Sequence, residues 1–437
     1  MKFKTYLCLF FIVGNLNIAL AQTTVQSFDE LINQVLTNTF RYQNNEVLLS
    51  QVKKERLAAV YGVLNPRGGL TGSFTNNTQL PVSLLPAEIV GGPAGTYEEV
   101  EFGLQYVSDV NLYAEVQLLN LAGWENLNLA DLTIQLQESE MRLSLQALKE
   151  NIAITYFNIV NLQKQLKAAK VNLGVADTLY QLTQAKYDNG LINQQNLNQS
   201  RVNQIEIAAS IDRIGYLIEQ QYVALKILCD LPETMNILIR QPLDSIREVS
   251  PISVKKNTLL VENALVNVDV QAANYQLAKR SFLPTISFFG NYSLQGNANR
   301  FNVFNDNATW INSNAIGLKL NVPIPSASQF RQRTQAEFQI ELAKNQALQA
   351  KQQTDLTMVQ LKNEYEKASV QALYDQEIYE IRKDSYTKNF INYQAGLLDL
   401  SETIDSYNAM LTSQYNYIAA NVKIQLAKTK IKLNNQQ

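Results

Sequence analysis

The chain has 437 residues, no histidine and two cysteines. Without histidine there is no imidazole base, no Ser-His-Asp triad and no His-ligated metal or haem centre, so these site classes are excluded. Cys8 and Cys229 form neither a disulfide framework nor a CxxC site. Lys and Arg number 37 and Asp and Glu 39, and this balance argues against a nucleic-acid partner. Asn and Gln together outnumber the charged residues, so we expect polar surfaces of mostly neutral amide.

The first 21 residues have the parts of a secretory signal peptide, in the usual order. Lys2 and Lys4 form a basic region, residues 7–13 are apolar, and an A-x-A box predicts cleavage after Ala21. We therefore expect the mature chain to be exported. No later stretch approaches the ~20 apolar residues of a transmembrane helix. Any part that crosses a membrane is then expected to do so as a β-barrel.

Long stretches without proline predict very long helices. Proline is absent between Pro93 and Pro232 and after Pro325, and it costs a helix interior about 3 kcal/mol. A helix from about 120 to 188 would span roughly 100 Å, more than a compact globular domain holds. Apolar residues step by threes and fours in two regions, at Leu145, Leu148, Ile152, Tyr156, Ile159, Leu162, Leu166, Ala169 and Leu173, and at Ile207, Ile211, Ile214, Ile218, Tyr222 and Leu225. A coiled-coil heptad follows at Leu397, Leu400, Ile404, Tyr407, Leu411 and Ile418.

Four segments alternate apolar and polar residues with the period of a β-strand. Their apolar members are Leu70 and Phe74; Val100, Phe102, Leu104 and Tyr106; Ile286, Phe288, Tyr292 and Leu294; and Ile316, Leu318 and Leu320. Such segments are typical of a half-buried soluble sheet and equally of a short barrel strand. Trp310 is expected either at a membrane interface or in the core of a sheet. We expect Cys229 to be a buried apolar residue.

The two halves of the chain repeat one order of features: helix, proline, strand, loop, strand, long helix, glycine, helix. Pro66 and Pro284 mark the two corners where a helix leads into a strand. This layout predicts a first repeat over residues 22–229, a connector over 230–257 and a second repeat over 258–437.

The more specific signal of the repeat is a pair of helical hairpins. Tyr187-x-x-Gly190 and Tyr393-x-x-Gly396 lie 206 residues apart, and two aliphatic residues follow each glycine. Each glycine is expected to take the left-handed conformation that closes a helical hairpin.

The doubled layout, the Leu-Pro corner and the Tyr-x-x-Gly hairpins resemble TolC-like outer-membrane efflux proteins, the outer membrane factors of tripartite efflux and type I secretion systems. The resemblance covers essentially the whole mature chain. It implies a mainly α fold with β. In a homotrimer, each chain would give four strands to one 12-stranded transmembrane β-barrel and its helices to a long antiparallel coiled-coil tunnel across the periplasm. Four strands do not close a barrel alone, since about eight are the practical minimum.

The resemblance also implies a pore constriction at the hairpin tips. The family pattern places carboxylates six and nine positions after the second hairpin glycine, here Glu402 and Asp405, and a tyrosine three before it, here Tyr393. Threefold symmetry would make each a ring, and clustered carboxylates attract cations, so an ion bound there is a hypothesis. Alternatively, Tyr393 only packs at the hairpin, and the two carboxylates only form a solvated helix face.

This chain differs from the family pattern at the predicted entrance in two ways. The best-known family member has an arginine two residues after the second hairpin glycine, where this chain has Leu398. The interactions that close the entrance are therefore expected to be weaker or hydrophobic. In the first repeat the positions corresponding to the carboxylates are Asn196 and Gln199, so an acidic ring would come from the second hairpin only.

The function implied is a passive, gated exit channel in the bacterial outer membrane, not an enzyme, with no cofactor or metal expected. Its partners would be a periplasmic adaptor at the tips around Tyr187, Gly190 and Gly396, an inner-membrane transporter that supplies energy, and outer-membrane lipid. The alternative is an exported soluble coiled-coil structural protein or adhesin, which does not explain the strands. A hydrolase using Glu402 and Asp405 is disfavoured because no pocket-forming pattern accompanies them. The exported substrate, whether drug, metal or protein, stays open.

Overall fold

The computed structural model describes residues 23–241, 253–255, 258–301 and 309–435. The predicted signal peptide, with its cleavage after Ala21, and part of the predicted connector lie outside these residues. Within the described ranges, every helix is too short or too polar to cross a bilayer.

Helices make up most of the described chain. They are α1 (Phe28–Val35), α2 (Phe40–Leu64), α3 (Leu121–Asp188), α4 (Gln194–Leu228), α5 (Leu259–Arg280), α6 (Ala327–Gln394) and α7 (Leu400–Asn435). α3 and α6 contain 68 residues each, so the long helices predicted from the absence of proline are confirmed. Five residues of the stripe predicted on α3 are buried, namely Leu148, Ile152, Tyr156, Ile159 and Ala169.

The strands form three separate sheets. They are β1 (Thr23–Val25), β2 (Arg67–Asn76), β3 (Val82–Pro86), β4 (Tyr97–Glu101), β5 (Tyr106–Leu119), β6 (Ile237–Ile239), β7 (Thr285–Ala298) and β8 (Thr309–Asn321). β1 pairs with β6 in parallel, and β3 pairs with β4. The largest sheet has four strands in the antiparallel order β2-β5-β7-β8.

One of the four predicted strands is wrong in its position. The segment from Glu99 to Tyr106 was predicted as a single strand, but its first residues belong to β4, which pairs with β3 outside the four-stranded sheet. Gly103 has a φ of 114°, which interrupts the extended backbone, and the sheet strand β5 begins only at Tyr106. The signal for β5 was the alternation of Val110, Leu112, Ala114 and Val116 with polar residues.

The chain divides into two compact units. The first comprises the described parts of residues 1–46, 140–260 and 351–437. Its core joins α1 to α3 and to the β1–β6 pair, through Val25, Phe28, Leu31, Ile32, Val35, Ile152, Tyr156, Ile159, Leu225, Cys229, Ile237 and Ile239. Full burial of each large aliphatic side chain contributes about 1.5–3 kcal/mol. Cys229 is fully buried, as predicted, and burial raises the pKa of its thiol to about 12.

The second unit comprises residues 47–139 and 261–350 and contains the four-stranded sheet. Asn120, between β5 and α3, ties the sheet to its helices. Its side-chain amide donates to the Gly62 carbonyl at the end of α2 (3.1 Å), and its carbonyl oxygen accepts from the Gly123 amide in the first turn of α3 (2.8 Å). Nearby, Arg280 at the end of α5 pairs with the buried carboxylate of Glu125 at 2.9 Å. Polar contacts thus hold together the ends of α2 and α5 and the start of α3, and we call this place the helix junction.

Candidate functional site

The four-stranded sheet has one wholly uncharged, largely apolar face. The pairs β2–β5, β5–β7 and β7–β8 run in continuous register over most of their length, so residues that share a face can be read across all four strands. The large apolar side chains of this face are Leu70, Phe74, Val110, Leu112, Val116, Phe288, Tyr292, Leu294, Trp310, Ile316, Leu318 and Leu320.

This apolar face is uncovered within the second unit. Leu112 on the inner strand β5 is 52% exposed, Phe288 on the inner strand β7 is 46% exposed, and Ile316 on the outer strand β8 is 79% exposed. Removing such a surface from water is favourable by about 25 cal/mol per Å², and an apolar patch this broad marks a surface that another apolar medium or partner covers. The sheet is therefore not the half-buried sheet of a soluble core.

All charged residues of these four strands lie on the opposite face. They are Arg67, Asp109, Glu115 and Lys319. Uncharged polar residues such as Asn111, Asn291 and Ser293 fill most of the remaining positions. Strict separation of charge to one side is the alternation expected of strands that have lipid on one side and water on the other.

Trp310 lies on the uncovered face near one end of β8. Its ring packs directly over Gly296, where an added Cβ would come within 3.0 Å of the indole. The side chain stays 39% exposed, so it is not in the core of a sheet. At the same end of the sheet, on β2 and just beyond β7, Phe74 and Phe301 meet edge to face with ring centroids 5.5 Å apart.

The sheet ends in two open edges. β2 and β8 are its outer strands, and along one side each pairs with no other described strand. Backbone donors and acceptors along a long exposed edge readily pair with another strand. The edges therefore offer a place where a further copy of the same sheet could be added.

The first helical hairpin turns at Gly190, as predicted. This residue has a left-handed φ of 70°. Its amide donates to the carbonyl of Tyr187 (2.8 Å), and the amide of Leu191 donates to the carbonyl of Lys186 (2.9 Å). The paired bonds satisfy carbonyls that the last turn of α3 leaves without helical partners.

The second hairpin repeats this geometry at Gly396, whose φ is 75°. The Gly396 amide donates to the carbonyl of Tyr393 (3.1 Å), and the Leu397 amide donates to the carbonyl of Asn392 (2.8 Å). The prediction of a left-handed glycine is therefore confirmed at both tips. Leu397 is 77% exposed, and Leu191 at the matching place in the first hairpin is 71% exposed.

Tyr393 is buried between the two hairpins. Its hydroxyl shares a hydrogen bond with Thr183 of α3 (3.1 Å). The ammonium of Lys186 donates to the Tyr393 backbone carbonyl and lies 4.0 Å from the centroid of its ring. Burial raises the pKa of Tyr393, and the bond from Thr183 partly opposes that shift. Thr183 and Lys186 were not singled out from the sequence.

Glu402 and Asp405 are exposed on the first two turns of α7. Leu400 and Ile404, on the other side of the same turns, are buried. Among the described residues, no group of three potential metal-ligating side chains occurs within one chain. The placement of these carboxylates in a constriction stays a prediction.

The positions matched to the carboxylates in the first hairpin lie on α4. Gln199 donates to the hydroxyl of Ser401 on α7 at 3.4 Å. Asn193 caps α4, because its side-chain oxygen accepts from the backbone amide of Asn196 at 3.0 Å. Gln199 is thus next to the first turn of α7, beside Glu402. Tyr187 and Leu398 are half-buried.

A polar network that sequence patterns did not single out connects α3, α6 and α7 further from the tips. Tyr407 donates to the carbonyl of Asn172, whose side-chain amide donates to Gln414 at 2.7 Å. Gln414 in turn donates to the hydroxyl of Tyr379 at 3.2 Å. Tyr407 was predicted only as a member of the apolar heptad. A buried tyrosine in such a heptad was the available signal, because its hydroxyl needs a partner.

Comparison with known proteins agrees with this architecture. No family model matches the chain. The outer membrane protein TolC of Vibrio cholerae is 21% identical over 332 residues, which cover 71% of this chain and 74% of TolC. The crystal structure of the outer membrane protein VceC of Vibrio cholerae superposes with a TM-score of 0.66 at 16% identity, covering 93% of this chain and 94% of VceC.

A third similar protein is a channel whose structure was determined in its open state. The open state of the Neisseria gonorrhoeae MtrE outer membrane channel superposes with a TM-score of 0.68 at 13% identity, covering 93% of this chain and 88% of MtrE. The resemblance predicted from the doubled layout and the hairpins is confirmed. The chain is similar to TolC in sequence, and its fold is that of these outer-membrane channel proteins.

Proposed function

We propose that the chain is one protomer of an outer-membrane exit channel, a passive gated conduit from the periplasm to the exterior in a tripartite efflux or secretion system. The observation that carries this proposal is the four-stranded sheet, which keeps every charge on one face and leaves its apolar face uncovered. A lipid bilayer covers such a face without any partner protein. The fold shared with TolC-like channels supports the same function.

The channel is proposed to be a homotrimer. Three sheets of four strands, joined where β8 of one copy pairs with β2 of the next, make an antiparallel barrel of twelve strands. This arrangement uses both open edges and continues the alternating strand directions of the order β2-β5-β7-β8. It also passes the practical minimum of about eight strands for closure. The polar face with Arg67, Asp109, Glu115 and Lys319 would then line the water-filled interior.

The mature chain is proposed to begin after the signal peptide is removed. Its long helices are proposed to form the tunnel that crosses the periplasm. The chain is proposed to be a tandem repeat, with repeats over 22–229 and 258–437 and a connector over 230–257. Equivalent hydrogen bonds at Gly190 and Gly396 support this doubling. A coiled-coil tunnel would also bury exposed apolar residues on α4, such as Val202 and Tyr216.

The tips of the hairpins are proposed to form the gate. Glu402 and Asp405 are exposed and would project into the constriction, where three copies place them in rings that attract cations. Tyr393 would support the wall of this constriction from behind, because its ring is buried and its hydroxyl is bonded to Thr183.

Neutralising the acidic ring tests the gate directly. Glu402→Gln/Asp405→Asn keeps the shapes of both side chains and removes two negative charges from each copy. We expect lower potassium-over-chloride permeability and weaker block by divalent cations in single-channel recordings. The matched control is Glu341→Gln, on an exposed turn of α6 in the second unit. Unchanged selectivity and block in the double variant would contradict a role for these carboxylates in the constriction.

The tips are also proposed to meet a periplasmic adaptor around Tyr187, Gly190 and Gly396, which connects the channel to an energy-supplying inner-membrane transporter. The exposed Leu191 and Leu397 at the two tips support this assignment, because apolar side chains at a turn are suited to a protein contact.

Fractionation separates this function from the alternative of an exported soluble coiled-coil protein. The mature chain is expected in the outer membrane, to need detergent for extraction, and to have the mass of three chains in native mass spectrometry. A chain recovered without detergent from the periplasm or the medium would contradict the channel and support the soluble alternative.

A further inference from the structure

Three of the four charged residues on the polar face of the sheet lie together at one end. Arg67 on β2 is directly opposite Glu115 on β5, and Lys319 follows on β8, one row nearer the helix junction. The fourth, Asp109, lies three rows away toward the other end of β5, where it accepts a hydrogen bond from Ser293 at 3.3 Å. Charge on this face is thus concentrated in a narrow belt.

The belt is held together by a contact that crosses a whole strand. Lys319 and Glu115 belong to β8 and β5, which are not neighbours, because β7 lies between them. Their side chains nevertheless meet at 3.6 Å. Ser287 of β7 also hydrogen-bonds to the Glu115 carboxylate. Ser287 is only 3% exposed, since the ion pair covers it. A larger residue at position 287 would block this bridge.

The belt carries a net positive charge. It contains two cations, Arg67 and Lys319, and one carboxylate, Glu115. The lysine side chain is 58% exposed and the glutamate side chain 22% exposed, so the cation is turned more toward solvent than the carboxylate it contacts. Apart from Asp109, the rest of the face is uncharged and consists mostly of amides and hydroxyls, with a few aromatic and aliphatic side chains such as Ile311. An ion passing over this face therefore meets a net positive field at the belt and a negative one at Asp109, three rows away.

We propose that Arg67, Glu115 and Lys319 form a selectivity belt that makes the sheet-lined part of the channel favour anionic over cationic solutes. The inference rests on the proposed function, since it needs the polar face to line a conduit. Three copies would contribute nine charged groups within two neighbouring rows, with a net charge of three positive. Rings of Arg and Lys favour anions in pores, and their effect is largest where the wall is otherwise neutral. The belt would act in series with the acidic gate.

The test is the reversal potential of the purified full-length trimer in planar bilayers under a potassium chloride gradient. Salt near 0.1 M keeps the Debye length at about 10 Å, so the belt is not screened away. Lys319→Gln should lower the chloride-over-potassium permeability ratio by roughly twofold, and Glu115→Gln should raise it by a similar factor. Lys319→Arg preserves the charge and should leave the ratio unchanged.

Two further variants keep the outcome decisive. Arg67→Gln removes a cation outside the Lys319–Glu115 bridge, so it carries the test if loss of the bridge prevents trimer formation. Recordings in the Glu402→Gln/Asp405→Asn background remove the opposing acidic ring, and the shifts should be larger there.

The failures of the two proposals are distinguishable. If all variants conduct like the parent and share its reversal potential, the belt is contradicted while the channel stands. If the parent chain itself forms no channels, the proposed function fails. Shifts of the same sign for Lys319→Gln and Glu115→Gln would also overturn the belt, because the two changes remove opposite charges.

Discussion

At the scale of single residues, two neighbouring tyrosines in the helical core differ in whether their hydroxyl has a hydrogen-bond partner. The rings of Tyr386 and Tyr407 lie 5.0 Å apart. Burial raises the pKa of Tyr386 to about 12 and raises that of Tyr407 as well, so both hydroxyls stay neutral at physiological pH. The Tyr407 hydroxyl donates to the Asn172 carbonyl, whereas that of Tyr386 has no hydrogen-bond partner within the described chain.

The two tyrosines therefore make a matched pair of substitutions. Tyr407→Phe should lower the free energy of unfolding by about 0.5–1.5 kcal/mol per chain, because it removes a hydrogen bond and keeps the ring. Tyr386→Phe should leave it unchanged or raise it, because it removes a buried hydroxyl that has no partner. Thermal or denaturant unfolding of the two variants measures the difference. Equal losses would contradict the assigned network.

The contact between Lys186 and Tyr393 connects the first hairpin to the second. Lys186→Met keeps much of the side-chain volume and removes the charge from the tyrosine ring and the helix-ending carbonyl. We expect the contact between the two hairpins to weaken by about 0.5–2 kcal/mol. The loss should be seen as faster amide hydrogen exchange at the ends of α3 and α6. Lys388→Met is the control, since that lysine pairs with Asp384 on an exposed surface. Equal exchange in both variants would contradict the contact.

Sequence patterns predicted only part of this residue-scale detail. Glycine at the tips was predictable, because few other residues take a left-handed turn without strain. The roles of Thr183 and Lys186 were not, since they depend on a contact with a residue more than 200 positions away. Local periodicity carries no information about such a partner.

At the scale of elements, the hairpin turns are set by their glycines. Gly190→Ala and Gly396→Ala place a Cβ in a left-handed backbone, which costs roughly 1–2 kcal/mol at each tip. Gly174→Ala is the matched control, because that glycine lies within α3 with open space around it. It should stabilise the chain by about 0.5–1 kcal/mol. The free energy of unfolding should therefore fall in the two tip variants and rise in Gly174→Ala. A fall in Gly174→Ala as large as in the tip variants would contradict this expectation.

The elements themselves were partly predictable for physical reasons. α3 and α6 follow from the absence of proline together with three-and-four spacing. β7 and β8 follow from strict alternation. β5 was missed because apolar alternation also runs through β4, and the sequence does not show that the strand is interrupted around Gly103, whose φ is positive. The register that places all charges on one face needed the structure, because it depends on how four separate strands pair.

At the scale of the whole molecule, two properties of the chain support the proposed oligomer and its proposed place in a lipid bilayer. The sheet has two open edges, and its apolar face is uncovered. Burying both in one barrel within a bilayer satisfies the backbone groups and the apolar side chains together.

Single-channel recording shows directly whether the chain forms a conducting pore. The mature chain, extracted from outer membranes with detergent and purified as a trimer, is added to a planar lipid bilayer at constant voltage. We expect discrete steps of ionic current, with a reversal potential that shifts when Lys319 or the Glu402–Asp405 pair is neutralised. A purified, folded chain that inserts no conducting unit, and that stays in solution without detergent, would contradict it.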